Sequence, residues 1–295
     1  MKIKLMTDST SQIPSEFAKK KKIALLEPTI EFEGKHCKDL SDIDQKYYVS
    51  KMKSLKELPK TSVANPQESL ELLESIKKEG YKEVLYIHLT QVMSNQVGSV
   101  QIAMKKLKDD PRVHLYNTEF SATAQAPFVL FAQKMLEEGK SVDDINKALD
   151  KLKPLIHSSG ISSSFDVLFR TGRIKKTVKM SMISSVMNLK PIYESTRDKG
   201  YGGQGAGTGF NSAVKKIIER FEETTDSNIE YDAIINHINN PKLAKKLEEG
   251  VKSIRNIKDV QYWDISPVVA NTLGYGTAMI TLYPSFESFI KKVDG

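Results

Sequence analysis

The chain lacks most of what a redox, metal-dependent or membrane-spanning protein would use. Its 295 residues hold one cysteine, Cys37, so no disulfide can close within it. A lone cysteine reads as a small apolar or half-exposed side chain and points to a reducing cytoplasm rather than to a catalytic thiol. The five histidines, at positions 36, 88, 114, 157 and 237, show no zinc spacing. There is no Gly-x-Ser-x-Gly elbow, which leaves an α/β-hydrolase without its nucleophile. The longest apolar runs, such as Ala126–Ala132, are far too short to cross a bilayer, and stable membrane insertion is not expected. The start, Met1-Lys2-Ile3-Lys4-Leu5, enters a strand pattern without the apolar core of a signal peptide. No internal repeat is visible, and the only biased tract is the glycine cluster Gly200–Gly209.

Clustered charge is also missing. The net charge is +7, but Lys19–Lys22, Lys105-Lys106-Lys108, Lys175-Lys176-Lys179 and Lys291-Lys292 are scattered along the chain. A nucleic-acid module would gather such residues on one face with arginines or aromatics between them. Solvated helix faces explain these lysines better, and no nucleic-acid partner is expected.

What the chain does have is length for two domains, an ordinary hydrophobic share of 39% and a repeated seam of hydroxyls and amides. The seam reads Thr7-Asp8-Ser9-Thr10-Ser11, then Thr61-Ser62 with Asn65-Pro66, then Thr90-Gln91-Val92-Met93-Ser94-Asn95. Each run follows a strand-like stretch or precedes a helix, where α/β folds place ligands. Unpaired N–H groups at a helix start, with hydroxyls nearby, suit an anionic oxygen. None of these runs holds a metal cluster or a Lys/Arg fork, which favours holding an acid over transforming it.

The first half alternates short strands with amphipathic helices, which implies a largely parallel sheet with helices on its faces. Asn65, Pro66 and Glu68 predict an N-cap, N1 and N3 of a helix through Lys78, closed by Gly80. Ser94 precedes a helix to about Lys108, and 121–139 reads as one long helix ended by glycine. The second half reads as α+β. Serine-rich 156–165 is extended, 180–189 is a Met-rich helix, 190–194 is extended, and 211–224 and 242–254 are helices. Strands are predicted at 231–237, 260–265 and 276–283, the last two around a Pro-, Asn- and Gly-bearing turn. The boundary near Lys153-Pro154 gives an N-terminal α/β domain, 1–153, and a C-terminal α+β domain, 154–295.

These residues resemble the DegV family of bacterial fatty-acid-binding proteins, through short motifs dispersed over nearly the whole chain. Thr7-Asp8-Ser9 resembles the family's opening. Thr61-Ser62 with Pro66 resembles its Thr-Ser-Gln-Pro-Ser-Pro segment, with Val63, Ala64 and Asn65 departing from it. Leu89–Ser99 resembles its serine-rich loop and helix start, with Ser94 on the central serine. Gly172-Arg173-Ile174, Leu189-Lys190-Pro191-Ile192, Pro267-Val268-Val269 and Gly274-Tyr275-Gly276 match further signatures in the family's order.

The resemblance implies a two-domain DegV-like fold with a long-chain fatty acid in a buried cleft or tunnel between the domains. It implies a carboxylate held at Thr61, Ser62 and Ser94, with Asn95 and Thr272 beside them. It implies a carrier without catalysis or cofactor, which presents its acid to a separate fatty acid kinase. Two departures bear on that last step. Thr272 stands where the family commonly has a histidine, and Gly205–Gly209 stands where it often has an arginine. Lipid binding is therefore expected, with altered coupling to the kinase.

Other readings stay open beside this one. Met180, Met182 and Met187 fit either a core stripe or the lining of the acyl tunnel. Gly200-Tyr201-Gly202-Gly203-Gln204-Gly205 formally matches a dinucleotide fingerprint. It lies in the second domain, with Ser195–Lys199 in between, and reads as a loop or hairpin. Asp8 is expected to organise its loop. The competing function is a small hydrolase or phosphate-transfer enzyme in the same cleft, with Asp8 as the reactive carboxylate.

Overall fold

The computed structural model describes residues 2–55, 57–107, 110–165, 188–197 and 200–294. The chain forms two units, Met1–Ile43 with Pro59–Lys153, and Asp44–Leu58 with Pro154–Gly295. A stretch that the sequence placed in the first half, Asp44–Leu58, thus belongs to the second unit.

The first unit is built on strands β1 (Ile3–Asp8), β2 (Ala24–Leu26), β6 (Glu83–His88) and β7 (Arg112–Asn117), all parallel in the order β2-β1-β6-β7. Helices cover it, so its strands are buried almost end to end, as from Val84 to His88. On one face, Leu73 and Ile76 of the helix Pro66–Lys78 join Val97, Val100 and Ala103 of the helix Gln96–Leu107. Together they pack on Met6, Val84 and Tyr86. The helix Ala126–Glu137 packs on β1, and the Phe128 ring lies 5.8 Å from that of Phe120.

Local chemistry sets these helix ends. Asn65 Oδ1 accepts from Glu68 N at 2.9 Å, and Glu68 Oε2 accepts from Asn65 N at 2.8 Å. This reciprocal cap is worth ~1 kcal/mol. Gly80, just past the C-cap Glu79, has φ +85°, where a side chain would be strained. The long helix expected at 121–139 starts later. Residues 122–124 form a 3₁₀ turn and the α-helix begins at Ala126. Ala122 takes φ +51°, which a continuous helix cannot contain.

A small antiparallel sheet in the same unit pairs β3 (Thr29–Phe32) with β4 (Lys35–Lys38) and with β5 (Thr61–Ser62). The apolar stretch 23–30 is broken at Glu27-Pro28 into β2 and β3.

The second unit carries a six-stranded sheet in the order β10-β9-β8-β13-β11-β12. Its strands are β8 (His157–Ile161), β9 (Leu189–Thr196), β10 (Gly200–Thr208), β11 (Tyr231–His237), β12 (Ile257–Tyr262) and β13 (Ala278–Pro284). Only β11 and β12 run parallel. The helices Phe210–Thr224 and Pro241–Ile254 bury Ile217, Phe221, Leu243, Leu247 and Val251 against Ile235, Ile280 and Leu282. Gly160 faces Tyr193 across β8 and β9, and a Cβ there would come within 2.3 Å of the phenol. The position admits only glycine while Tyr193 keeps its place.

One expectation holds here, the hairpin at the glycine cluster, and two change. The glycine cluster is strand β10, hairpin-paired with β9, so its amides serve a sheet rather than a phosphate. Leu189 opens β9 instead of ending a helix. The turn expected after the 260s holds a helix, Pro267–Leu273, started by Ser266, whose side chain accepts from Val269 N, and by Pro267 in its first turn. This helix packs on the helix Gln45–Lys51, and the Tyr48 hydroxyl donates to Asn271 Oδ1 at 3.2 Å.

One ion cluster makes the second unit sensitive to pH. Glu248 accepts from Lys245 at 2.9 Å, Lys252 at 2.6 Å and the Tyr262 hydroxyl at 2.7 Å. These three donors, the lysines foremost, hold its carboxyl down at about 2 against an ordinary 4.5. A carboxyl depressed on folding stabilises above its unfolded pKa and loses that effect as pH falls through the folded value. The two lysine side chains are 60% and 48% exposed, so screening cuts the gain. Glu248→Gln is expected to cost ~1–2 kcal/mol at neutral pH. Urea midpoints should show the gap to the unmodified chain closing between pH 4.5 and about 2. A gap that does not change with pH would contradict this assignment.

Candidate functional site

The carboxyl ends of β1, β6 and β7 fall at one end of the parallel sheet, and a buried carboxylate joins the segments that follow them. Asp8 is fully buried at the end of β1. Its oxygens accept from the Thr10 hydroxyl, from Leu89 N at 3.2 Å and from Gln125 Nε2 at 3.1 Å. Burial pushes its pKa up, and these hydrogen bonds oppose the rise. Around it, Thr7 Oγ1 donates to Ile87 O at 2.8 Å, Ser11 Oγ to Asp8 O at 2.8 Å and Ser9 Oγ to Asp39 Oδ2 at 2.6 Å. Gln125 Nε2 also reaches Thr7 Oγ1 at 3.1 Å and Ile87 O at 3.3 Å. The first hydroxyl run therefore spends its donors inside the protein. His88 is buried too, with Nδ1 2.8 Å from Leu89 O, and burial lowers its pKa.

The other two runs are built differently. Thr61 and Ser62 form β5, with Thr61 beside Ile30 and Ser62 beside Thr29. Thr61 is half-buried and Ser62 exposed. Ser94 is half-buried and Asn95 exposed at the start of the helix Gln96–Leu107. Asn95 O accepts from Gly98 N at 3.0 Å. A Cβ on Gly98 would meet Asn95 Nδ2 at 2.5 Å, so the glycine leaves the asparagine room over the first turn. The same two segments carry exposed apolar side chains, Val63 at 39% and Val92 at 59% exposure.

These two runs are pinned together. Gln96 Oε1 accepts from Ala64 N at 3.0 Å, and the buried Ser69 and Ser99 hydroxyls meet at 2.9 Å. Thr61, Ser62, Ser94 and Asn95 thus lie on two segments of one unit that a single buried glutamine ties to each other. Gln96 itself escaped the sequence reading. Its signal was a glutamine at the first helical position after Ser94-Asn95, but its partner lies 32 residues away.

Thr272 belongs to the second unit, on the helix Pro267–Leu273. It is half-buried, and its hydroxyl donates to Val268 O at 3.0 Å, the carbonyl one turn back. Met180, Met182 and Met187 lie outside the described residues, as does Gly172-Arg173-Ile174. Among the described residues, no group of three or more His, Cys, Asp or Glu side chains could hold a metal ion, and no helix is long and apolar enough to cross a membrane.

Comparison with known proteins places this geometry. Residues 2–285 match the family model described as "Uncharacterised protein, DegV family". A DegV domain-containing protein of Clostridium acetobutylicum is 26% identical over 95% of this chain and 98% of its own. Protein DegV of Bacillus subtilis is 25% identical over 94% and 97%. Among solved structures, a DegV family protein from Thermus thermophilus described by its fatty acid binding superposes with a TM-score of 0.86. It covers 97% of this chain and 100% of its own, at 22% identity. The structure of DegV from Bacillus subtilis, described as a fatty acid binding protein, superposes at 0.80 with 25% identity over 97% and 100%. The two-domain α/β architecture is that of these neighbours, and with nearly its whole length under the family model, the chain belongs to the DegV family.

Proposed function

We propose that this protein binds a long-chain fatty acid and carries it, holding the carboxylate at Thr61, Ser62, Ser94 and Asn95. One observation supports this above the others. The two segments that carry these hydroxyls are joined by the hydrogen bond from Ala64 N to Gln96 Oε1, 32 residues apart, at the start of a helix, and both segments also carry an exposed valine, Val63 and Val92. Helix-start N–H groups and neutral hydroxyls suit a carboxylate, and apolar neighbours suit the chain behind it. The relatives' described fatty acid binding points the same way.

The energetics are adequate. Burying ~12 methylenes at ~0.8 kcal/mol each offers roughly 10 kcal/mol of gross driving force. The head group resists burial unless hydrogen-bonded, and neutral donors meet that need without fixing the acid in an ion pair. An enzyme built on Asp8 is disfavoured, because its oxygens are engaged by Thr10, Leu89 and Gln125. Two finer parts belong to the same proposal: an inter-domain tunnel for the acyl chain, and delivery of the acid to a fatty acid kinase.

Mass spectrometry of an organic extract from the native protein is expected to show one acyl chain per molecule. No stoichiometric chain, together with no rise in Tm on adding palmitate or oleate, would remove this reading. Ser94→Ala and Thr61→Ala each delete a hydrogen bond to a charged group, worth ~1.5–3 kcal/mol. Palmitate affinity, measured by titration calorimetry, should fall roughly ten- to a hundredfold with the fold intact.

The kinase step has its own test. Thr272 offers a hydroxyl where the family commonly has an imidazole, and that hydroxyl donates to Val268 O. With ATP and a kinase from the same cell, Thr272→His is expected to raise the rate of acyl phosphate formation from the loaded protein. An unchanged or lower rate would show that this position does not limit the transfer.

A further inference from the structure

The Gln96 side chain is 1% exposed, yet only half of its amide is satisfied. Its orientation is fixed by chemistry, because Ala64 N–H can donate only to the oxygen, and it does so at 3.0 Å. The nitrogen is thereby assigned, and Nε2 is buried with no hydrogen-bond partner among the described residues. Buried amide donors are seldom left unpaired, since desolvation without a compensating acceptor is costly. Gln96 is also the first residue of a twelve-residue helix whose opening N–H groups lack intrahelical acceptors. It stands two residues after Ser94, and the atom it grips stands two residues after Ser62. An unused buried donor therefore bridges the two segments that carry the head-group hydroxyls.

We propose that Gln96 determines specificity at this site: Nε2 donates to the ionised carboxylate and favours the free acid over a neutral long-chain alcohol or ester. This rests on the fatty-acid reading above and deepens it. A donor bonded to an anion gains more than the same donor bonded to a neutral oxygen. The glutamine cannot be displaced easily, because moving it would release Ala64 N. The preference is thus set by a side chain held in place before the ligand arrives.

Gln96→Glu tests this closely. It keeps an oxygen for Ala64 N and replaces only the donor with a second acceptor. Binding of palmitate and of 1-hexadecanol to the full chain is compared by displacement of a fluorescent fatty acid. At about pH 8 the variant should lose palmitate affinity by tenfold or more and keep its hexadecanol affinity, so the acid-to-alcohol ratio collapses. At about pH 6 part of the loss should return, because the introduced carboxyl, once protonated, donates again as the amide did. A Gln96 with only a structural role would leave ratio and pH profile unchanged, and that result overturns the inference. If the variant does not fold, the unmodified chain still decides: the Nε2 protons should move downfield in nitrogen–proton NMR with palmitate and less with hexadecanol. Equal shifts overturn the inference. Palmitate failing to bind the unmodified chain removes the fatty-acid reading itself, and the role of Gln96 with it, whereas equal palmitate affinity in chain and variant removes the role of Gln96 alone.

Discussion

The end of the parallel sheet depends on a carboxylate buried where water cannot reach it. A charge removed from water must be paired or hydrogen-bonded to persist, and the groups that hydrogen-bond Asp8 among the described residues are all neutral. It is held by a hydroxyl, a backbone amide and a side-chain amide, from Thr10, Leu89 and Gln125. Those donors come from the segments that follow β1, β6 and β7. Fixing Asp8 thus fixes the start of the loop Leu89–Asn95, and with it the place where Ser94 and the helix Gln96–Leu107 begin.

Similar residue types consequently do different work along the chain. Thr7, Ser9, Thr10 and Ser11 are buried and bonded inward. Ser62 and Asn95 reach solvent, and Thr61 and Ser94 lie half-buried beside them. A hydroxyl whose proton is committed to a protein acceptor cannot also donate to a ligand. The inward set is therefore framework.

How much was legible in the sequence follows from how far each signal reaches. The helix Pro66–Lys78 was readable because Asn65, Pro66, Glu68 and Gly80 all act within a few residues of its ends. β11 was readable as an apolar run that its neighbours bury on both sides. The helix Pro267–Leu273 was not, since seven residues with two valines and a following glycine look like a turn until Ser266 is seen to cap them. Thr61-Ser62 suggested a helix approach, but their hydrogen bonds go to β3, some thirty residues earlier. The site shared this division. Its hydroxyls lay in motifs that could be read locally, while the Ala64–Gln96 bond that joins them spans 32 residues and leaves no local trace.

In the proposed reading, that bond also shapes what the site does with an acid. Neutral donors stabilise a carboxylate by direction rather than by opposite charge, so they need to be placed before binding. Here the placement comes from backbone: Ala64 N–H orients Gln96, and the Asn65 cap and the Ser69–Ser99 contact hold the helices that bear them. A site of this kind gains affinity from order already present in the protein and gives up an anion without breaking an ion pair. Those are the two properties that a carrier of fatty acids would combine: firm holding in transit, and a head group that remains chemically available when it is handed on.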